Sequence, residues 1–282
     1  MKLSIITVNR NDAAGLRRTL SSVVAQTIPP CEFIVIDGAS TDGSVEVIRE
    51  YAGSLSFWSS EPDSGIYNAM NKGISHAGGE WCLFLNSGDT LCDREVLARI
   101  EASGADADIL CGNAMIQETP PRRKTPPDEV SLDFLFGGSL CHQSVLIRTR
   151  LLREHPYDEQ LKIVADRKFF LQALIFDNAT YRRIDVDIAD YDITGYSARN
   201  RFASEQEYAR VLEEMVPRRI LSDYGKRKRG FLYGDRPYEK MFLEIGRRNW
   251  RGPVYRTVRR LLGAAALLRP SAAFIRSFPR SE

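Results

Sequence analysis

The chain has 282 residues, 43% hydrophobic and 27% charged, which is enough to bury a sizeable core and excludes a disordered or fibrous protein. Its net charge of +2 hides an asymmetry: from Arg218 onward 17 Lys or Arg stand against 5 Asp or Glu, while the first 217 residues carry 22 and 32. Five cysteines, Cys31, Cys82, Cys92, Cys111 and Cys141, without a C-x-x-C pair argue against a disulfide framework and for a reducing compartment.

The opening KLSIITV is too short for the apolar region of a secretory signal and reads as a strand. Asp12 is a candidate N-cap for the helix AAGLRRTLSSVVAQ. CEFIVID is a second strand, and Asp42 can cap the helix SVEVIREYA. LSFWS is a third strand, GIYNAMNKGISHA has helical spacing at Ile66, Met70 and Ile74, and WCLFL is a fourth strand. Apolar strands separated by helices imply βαβ units and a parallel sheet, whose ligands bind outside the carboxyl ends of the strands. Those ends run into NRND, DGASTDG, EPDSG and NSGD, so four polar turns share one edge.

Beyond residue 105 the alternation weakens. DADILCG and QSVLIRT read as strands around the Pro-rich, charged loop PPRRKTPPDE. DRKFFLQALIF reads as a helix, ATYRRIDVDIADYDIT as one or two strands, and FASEQEYARVLEEMVPRRIL as a helix interrupted near Pro217. LLGAAALL is far below the roughly 18–20 residues of a membrane span.

The motifs SIITVNRND, VIDGASTDGS, SEPDSGIYNAMNKGI, FLNSGD and VADRKFF, in this order, resemble the inverting nucleotide-sugar glycosyltransferases of family 2, of the bacterial polysaccharide-assembly type. The resemblance covers roughly residues 1–200. It implies an α/β, GT-A-type, Rossmann-like three-layer sandwich with a mixed, mainly parallel sheet. Residues 1–217 would form that domain, with 1–104 the nucleotide half and 105–217 the acceptor half, and 218–282 a basic helical extension. It implies transfer of a sugar from a nucleotide-sugar donor, with UDP as the prior, to a hydroxyl of a growing surface glycan that is free or lipid-linked.

The resemblance also distributes roles. Asp37 and Asp63 would read the ribose and base, as carboxylates accept from hydroxyls and ring N–H groups. Thr7, Asn9, Arg10, Gly65, Asn71, Ser87 and Gly88 complete the nucleotide set, with Lys72 as the point charge for the diphosphate. NSGD stands where the family has D-x-D, so Ser87 replaces the first acid and Asp89 is left as the metal ligand for Mn²⁺ or Mg²⁺. Asp166, at the start of a helix whose dipole favours an ionised carboxylate, would be the catalytic base, with Asp158 and Glu159 as competitors. His142 and Gln143 would line the acceptor side, although a structural hydrogen-bonding role for His142 is equally open. In the loop TGYSARNR, Arg199 and Arg201 are either diphosphate clamps or solvated charges.

Arginines interleaved with Trp250, Tyr255, Leu261 and Leu262 give residues 247–276 three readings: contact with an anionic membrane surface, a helix packed on the body, or nucleic acid, which ranks last for want of a recognised motif. The expected location is cytoplasmic, with peripheral contact on the inner face of the membrane under the first reading. The rival functions are a nucleotidyltransferase, disfavoured because NRNDAAG is a poor phosphate loop, and a non-catalytic nucleotide-sugar-binding protein.

Overall fold

The structure, a computed structural model, describes residues 1–118, 120–191 and 200–223, the side chain of Arg201 excepted. The expectations for Arg199, for the Arg201 side chain and for residues 247–276 therefore lie outside the described residues. Met1–Met215 form one compact unit.

β1 (Leu3–Asn9), β2 (Glu32–Asp37), β3 (Phe57–Ser60) and β4 (Trp81–Phe84) are short runs of β-branched and aromatic residues, and β1 and β4 are buried along their whole length. They pair in parallel in the order β3-β2-β1-β4. Their crossovers are α1 (Ala13–Val24), α2 (Ser44–Tyr51) and α3 (Ile66–His76). The pleat divides the core in two. Leu3, Ile5, Phe33, Val35, Leu83 and Leu85 share one cluster with Leu16 and Leu20 of α1 and Val47 and Ile48 of α2. On the other face, α3 approaches β1 so closely that a Cβ on Gly73 would lie 2.4 Å from Ile6 Cγ2.

The sheet continues from β4 through antiparallel β8 (Val145–Arg148) to β6 (Ile109–Ile116), β9 (Tyr181–Tyr191) and β5 (Thr90–Leu91), and β7 (Arg122–Lys124) pairs with β6. β6 and β9 run parallel through two register shifts between Cys111 and Ala114. Short helices α4 (Val96–Ala102), α5 (Leu132–Gly137) and α6 (Thr149–Glu154) fill the connections. α7 (Ala165–Leu171) ends in a π-helical turn, Gln172–Phe176, and α8 spans Arg201–Met215.

Some local expectations shift. Arg122–Lys124 form a strand inside the stretch that reads as a Pro-rich loop, because β6 offers an unpaired edge there. Asp42 does not hold the N-cap of α2; Gly43 does, at φ +94°, while Asp42 accepts from Ser44 N–H (3.2 Å) and, across the loop, from Ala13 N–H (2.8 Å) at the start of α1. Ile66 is exposed, and Tyr67 takes the buried place with Met70 and Ile74. Asp12 caps α1 as expected, accepting from Gly15 N–H at 3.0 Å.

Candidate active site

The register of the sheet lines up Asn9, Asp37 and Ser60 side by side at the carboxyl edge. Asp37 is fully buried, yet both oxygens are served. Oδ1 accepts from Asn9 Nδ2 (2.7 Å) and Ser40 Oγ (2.6 Å), and Oδ2 from Ser60 Oγ (2.6 Å) and Ser40 N–H (2.9 Å). Burial alone would push this carboxyl up, but the bonds from Ser40, Ser60 and Asn9 prevail and hold it below its ordinary value. The loops at the ends of β1 and β2 are stitched together: Asn11 N–H donates to Ser40 Oγ (2.7 Å), and Thr41 N–H donates to Asn11 Oδ1 (2.9 Å). Asp37 therefore organises the carboxyl edge of the sheet through its neighbours.

Asp63 reaches the same edge from the loop after β3. A Cβ on Gly38 would lie 2.3 Å from Asp63 Oδ2, so glycine at 38 is what admits the carboxylate. Asp63 Oδ1 accepts from Gly65 N–H at 3.0 Å and lies 3.6 Å from Arg10 Nη1, whose side chain is well exposed. Gly65, at φ +143° a conformation open only to glycine, starts α3. Thr7 donates from within the core to the Leu85 carbonyl at 2.8 Å and supports the edge from below. Two residues expected on the phosphate side have protein partners. Lys72 pairs with Glu61 at 2.7 Å and donates to the Pro62 carbonyl at 3.1 Å, while Asn71 bonds the Tyr157 main chain in both directions and Glu159 at 2.9 Å.

The turn after β4 is clamped to α1. Thr19 Oγ1 donates to the Asp89 carbonyl (2.7 Å) and accepts from Gly88 N–H (3.1 Å), with Gly88 at φ +98°. Ser87, in the place of a family carboxylate, donates to Asp12 Oδ2 at 3.0 Å. Asp89 is buried, and Asn86 Oδ1 on the same turn is a buried amide oxygen with no hydrogen-bond partner among the described residues. A carboxylate and an amide oxygen are hard donors, suited to Mg²⁺ or Mn²⁺ that completes its shell with diphosphate oxygens and water. Among the described residues no three His, Cys, Asp or Glu side chains group to hold a metal unaided. The turn thus offers two oxygen donors that fit a divalent cation completing its shell from outside the chain.

Asp166 lies in the first turn of α7 and accepts from Tyr67 Oη at 3.2 Å. Behind it Phe84 stacks on His142, and His142 Nε2 bonds Tyr157 Oη at 2.7 Å. His142 is buried in this aromatic floor, and burial holds it below its ordinary value, against the opposing pull of Asp166. Of its two expected roles the structural one is what the contacts describe. Gln143 accepts from Cys141 Sγ at 3.3 Å. Burial pushes the Cys141 thiol up to about 11; Lys124 opposes this, while the carboxylates of Asp89 and Asp166 both add to it. The rival bases are committed elsewhere: Asp158 pairs with Lys168 at 2.6 Å, and Glu159 accepts from Asn68 and Asn71. The sequence reading passed over Gly38, Ser40, Ser60 and Tyr67. The first two lie in DGAS, where a glycine and a serine follow the strand-end acid.

This sheet, with its acidic carboxyl edge and its antiparallel β8, has the GT-A-type arrangement of glycosyltransferases. A family model described as glycosyl transferase family 2 matches residues 4–183, and the chain belongs to that family. An uncharacterised glycosyltransferase of Mycobacterium tuberculosis (strain CDC 1551 / Oshkosh) is 33% identical over 259 residues, covering 87% of this chain and 98% of its own. A PGL/p-HBAD biosynthesis glycosyltransferase of Mycobacterium bovis (strain BCG / Pasteur) is 31% identical, over 68% of this chain and 77% of its own. Among solved structures, Staphylococcus aureus TarS 1-349 in complex with UDP-GlcNAc superimposes with a TM-score of 0.57 at 23% identity, over 68% of this chain. The chain spans 58% of the length of that protein.

Proposed function

We propose that the chain is a metal-dependent, inverting glycosyltransferase that moves a hexosyl group from a UDP-sugar to a hydroxyl of a growing, lipid-linked surface glycan. The observation that carries this reading is that α3, which starts at Gly65 beside Asp63, brings Tyr67 Oη to Asp166 and so joins that acid to the edge built on Asp37. The UDP-GlcNAc in the TarS complex supports the donor.

In this reading Asp63 and Arg10 face the nucleoside and Asp37 holds the edge on which it rests. The acceptor hydroxyl attacks the anomeric carbon from the side opposite the diphosphate while Asp166 takes its proton, so the new bond has inverted configuration. Tyr67 Oη and the rigid aromatic floor fix the Asp166 carboxylate for that transfer. Asp89 and the Asn86 amide oxygen would hold a divalent cation, which offsets the charge that grows on the leaving diphosphate. Residues 1–104 serve the donor and 105–217 the acceptor, and the basic residues 247–276 meet an anionic membrane surface where such acceptors lie.

Asp89→Ala tests the cation site. It is expected to weaken UDP binding in Mn²⁺ by roughly tenfold or more, while binding in EDTA is little changed. Equal affinities for wild type and variant in Mn²⁺, by titration calorimetry, would remove Asp89 from the site.

A further inference from the structure

Helix α8 holds the segment that carries Asp166 from both sides, and the chemistry described so far makes no use of it. Glu207 on α8 turns its carboxylate into three successive main-chain amides: Oε1 accepts from Lys162 N–H at 2.8 Å, and Oε2 from Ile163 N–H at 2.8 Å and Val164 N–H at 3.1 Å. Val164 is the N-cap of α7 and has no side-chain cap of its own. A carboxylate that gathers consecutive amides supplies what a capping side chain would, with charge-assisted bonds. The next residue, Tyr208, is buried. Its hydroxyl donates to the Leu135 carbonyl at 2.9 Å, and its ring receives the guanidinium of Arg167 at 3.4 Å. Asp166 thus sits between a main chain fixed by Glu207 and a side chain fixed by Tyr208.

We infer that Glu207 is a positioning residue for Asp166: its carboxylate sets the main chain at 162–164 and so the place of the base relative to the acceptor hydroxyl. The inference rests on the reading of Asp166 as the base. Misplacing a catalytic group by an ångström costs up to about a hundredfold in rate, whereas the nucleotide edge built on Asp37 involves none of these contacts. Glu207 therefore acts on turnover and not on donor affinity.

The test compares Glu207→Ala, Glu207→Gln and Leu212→Ala, the last a cavity on the same helix, with Asp166→Asn alongside. In Glu207→Ala, kcat is expected to fall roughly tenfold to a hundredfold with the Kd for UDP unchanged, and Glu207→Gln, which keeps one acceptor oxygen, to recover part of it. By hydrogen exchange, the amides of residues 162–164 should exchange roughly tenfold or more faster in Glu207→Ala. Unchanged exchange there would overturn the inference whatever the activity shows. So would a parallel loss of kcat and UDP affinity, or an equal kcat loss in a Leu212→Ala variant of matched Tm. Full activity in Asp166→Asn would overturn the base assignment and the inference with it. Normal kcat in Glu207→Ala beside an inactive Asp166→Asn would overturn the positioning role alone.

Discussion

Asp166→Asn is expected to lower transfer by roughly 10²–10⁴-fold while UDP affinity stays within about twofold of wild type. Asparagine keeps the shape of the side chain and its bond from Tyr67 but cannot take a proton. Asp166 touches none of the groups that assemble around Asp37, so donor binding has no reason to change. The competing carboxylates do not substitute for it, since Asp158 is tied to Lys168 and Glu159 to Asn68 and Asn71. The measurement is initial-rate kinetics beside UDP titration. Equal loss of rate and affinity would mean that Asp166 supports the fold of the acceptor half instead.

Asp37→Ala is expected to have the opposite signature, loss of stability and of nucleotide binding together. The change strips acceptors from Asn9 Nδ2, Ser40 Oγ, Ser40 N–H and Ser60 Oγ inside a buried edge. Breaking such a network costs about 2–4 kcal/mol, which corresponds to a drop of roughly 5–15 °C in Tm. The sign of the pH dependence follows from the lowered carboxyl. Its contribution is fully present above its unfolded value of about 3.9 and is lost as pH falls through the lower folded value. The stability gap between wild type and Asp37→Asn should therefore narrow as pH falls below about 4. A Tm for Asp37→Ala equal to that of wild type would show that the edge does not depend on this carboxylate.

The first four strands and the helices between them were legible because their signals are local. β1 to β4 are short strands led by apolar residues, each closed by a polar turn, and the ends of the first three fall into register as Asn9, Asp37 and Ser60. The chain after β4 hides its elements. α4, α5 and α6 have six or seven residues, too few to display a helical period, and β5 has two. β7 is an edge strand of three charged residues that exists only because β6 offers its ladder. Site roles were harder than site positions. Lys72, Asn71 and His142 carry the residue types of phosphate and acceptor contacts, and the structure adds their partners Glu61, the Tyr157 main chain and the ring of Phe84. Glu207 left no mark in the sequence at all, because its three partners are main-chain amides more than forty residues away.

The edge built on Asp37 and the turn at Asp89 are proposed to form a nucleotide site that needs a cation. Titration calorimetry of the purified chain against UDP, GDP, dTDP and CDP, each with Mn²⁺ and with EDTA, tests it most directly. The expected result is binding of UDP that depends on Mn²⁺, with the other nucleotides weaker. Binding of none of the four in either condition would mean that this edge is no nucleotide site.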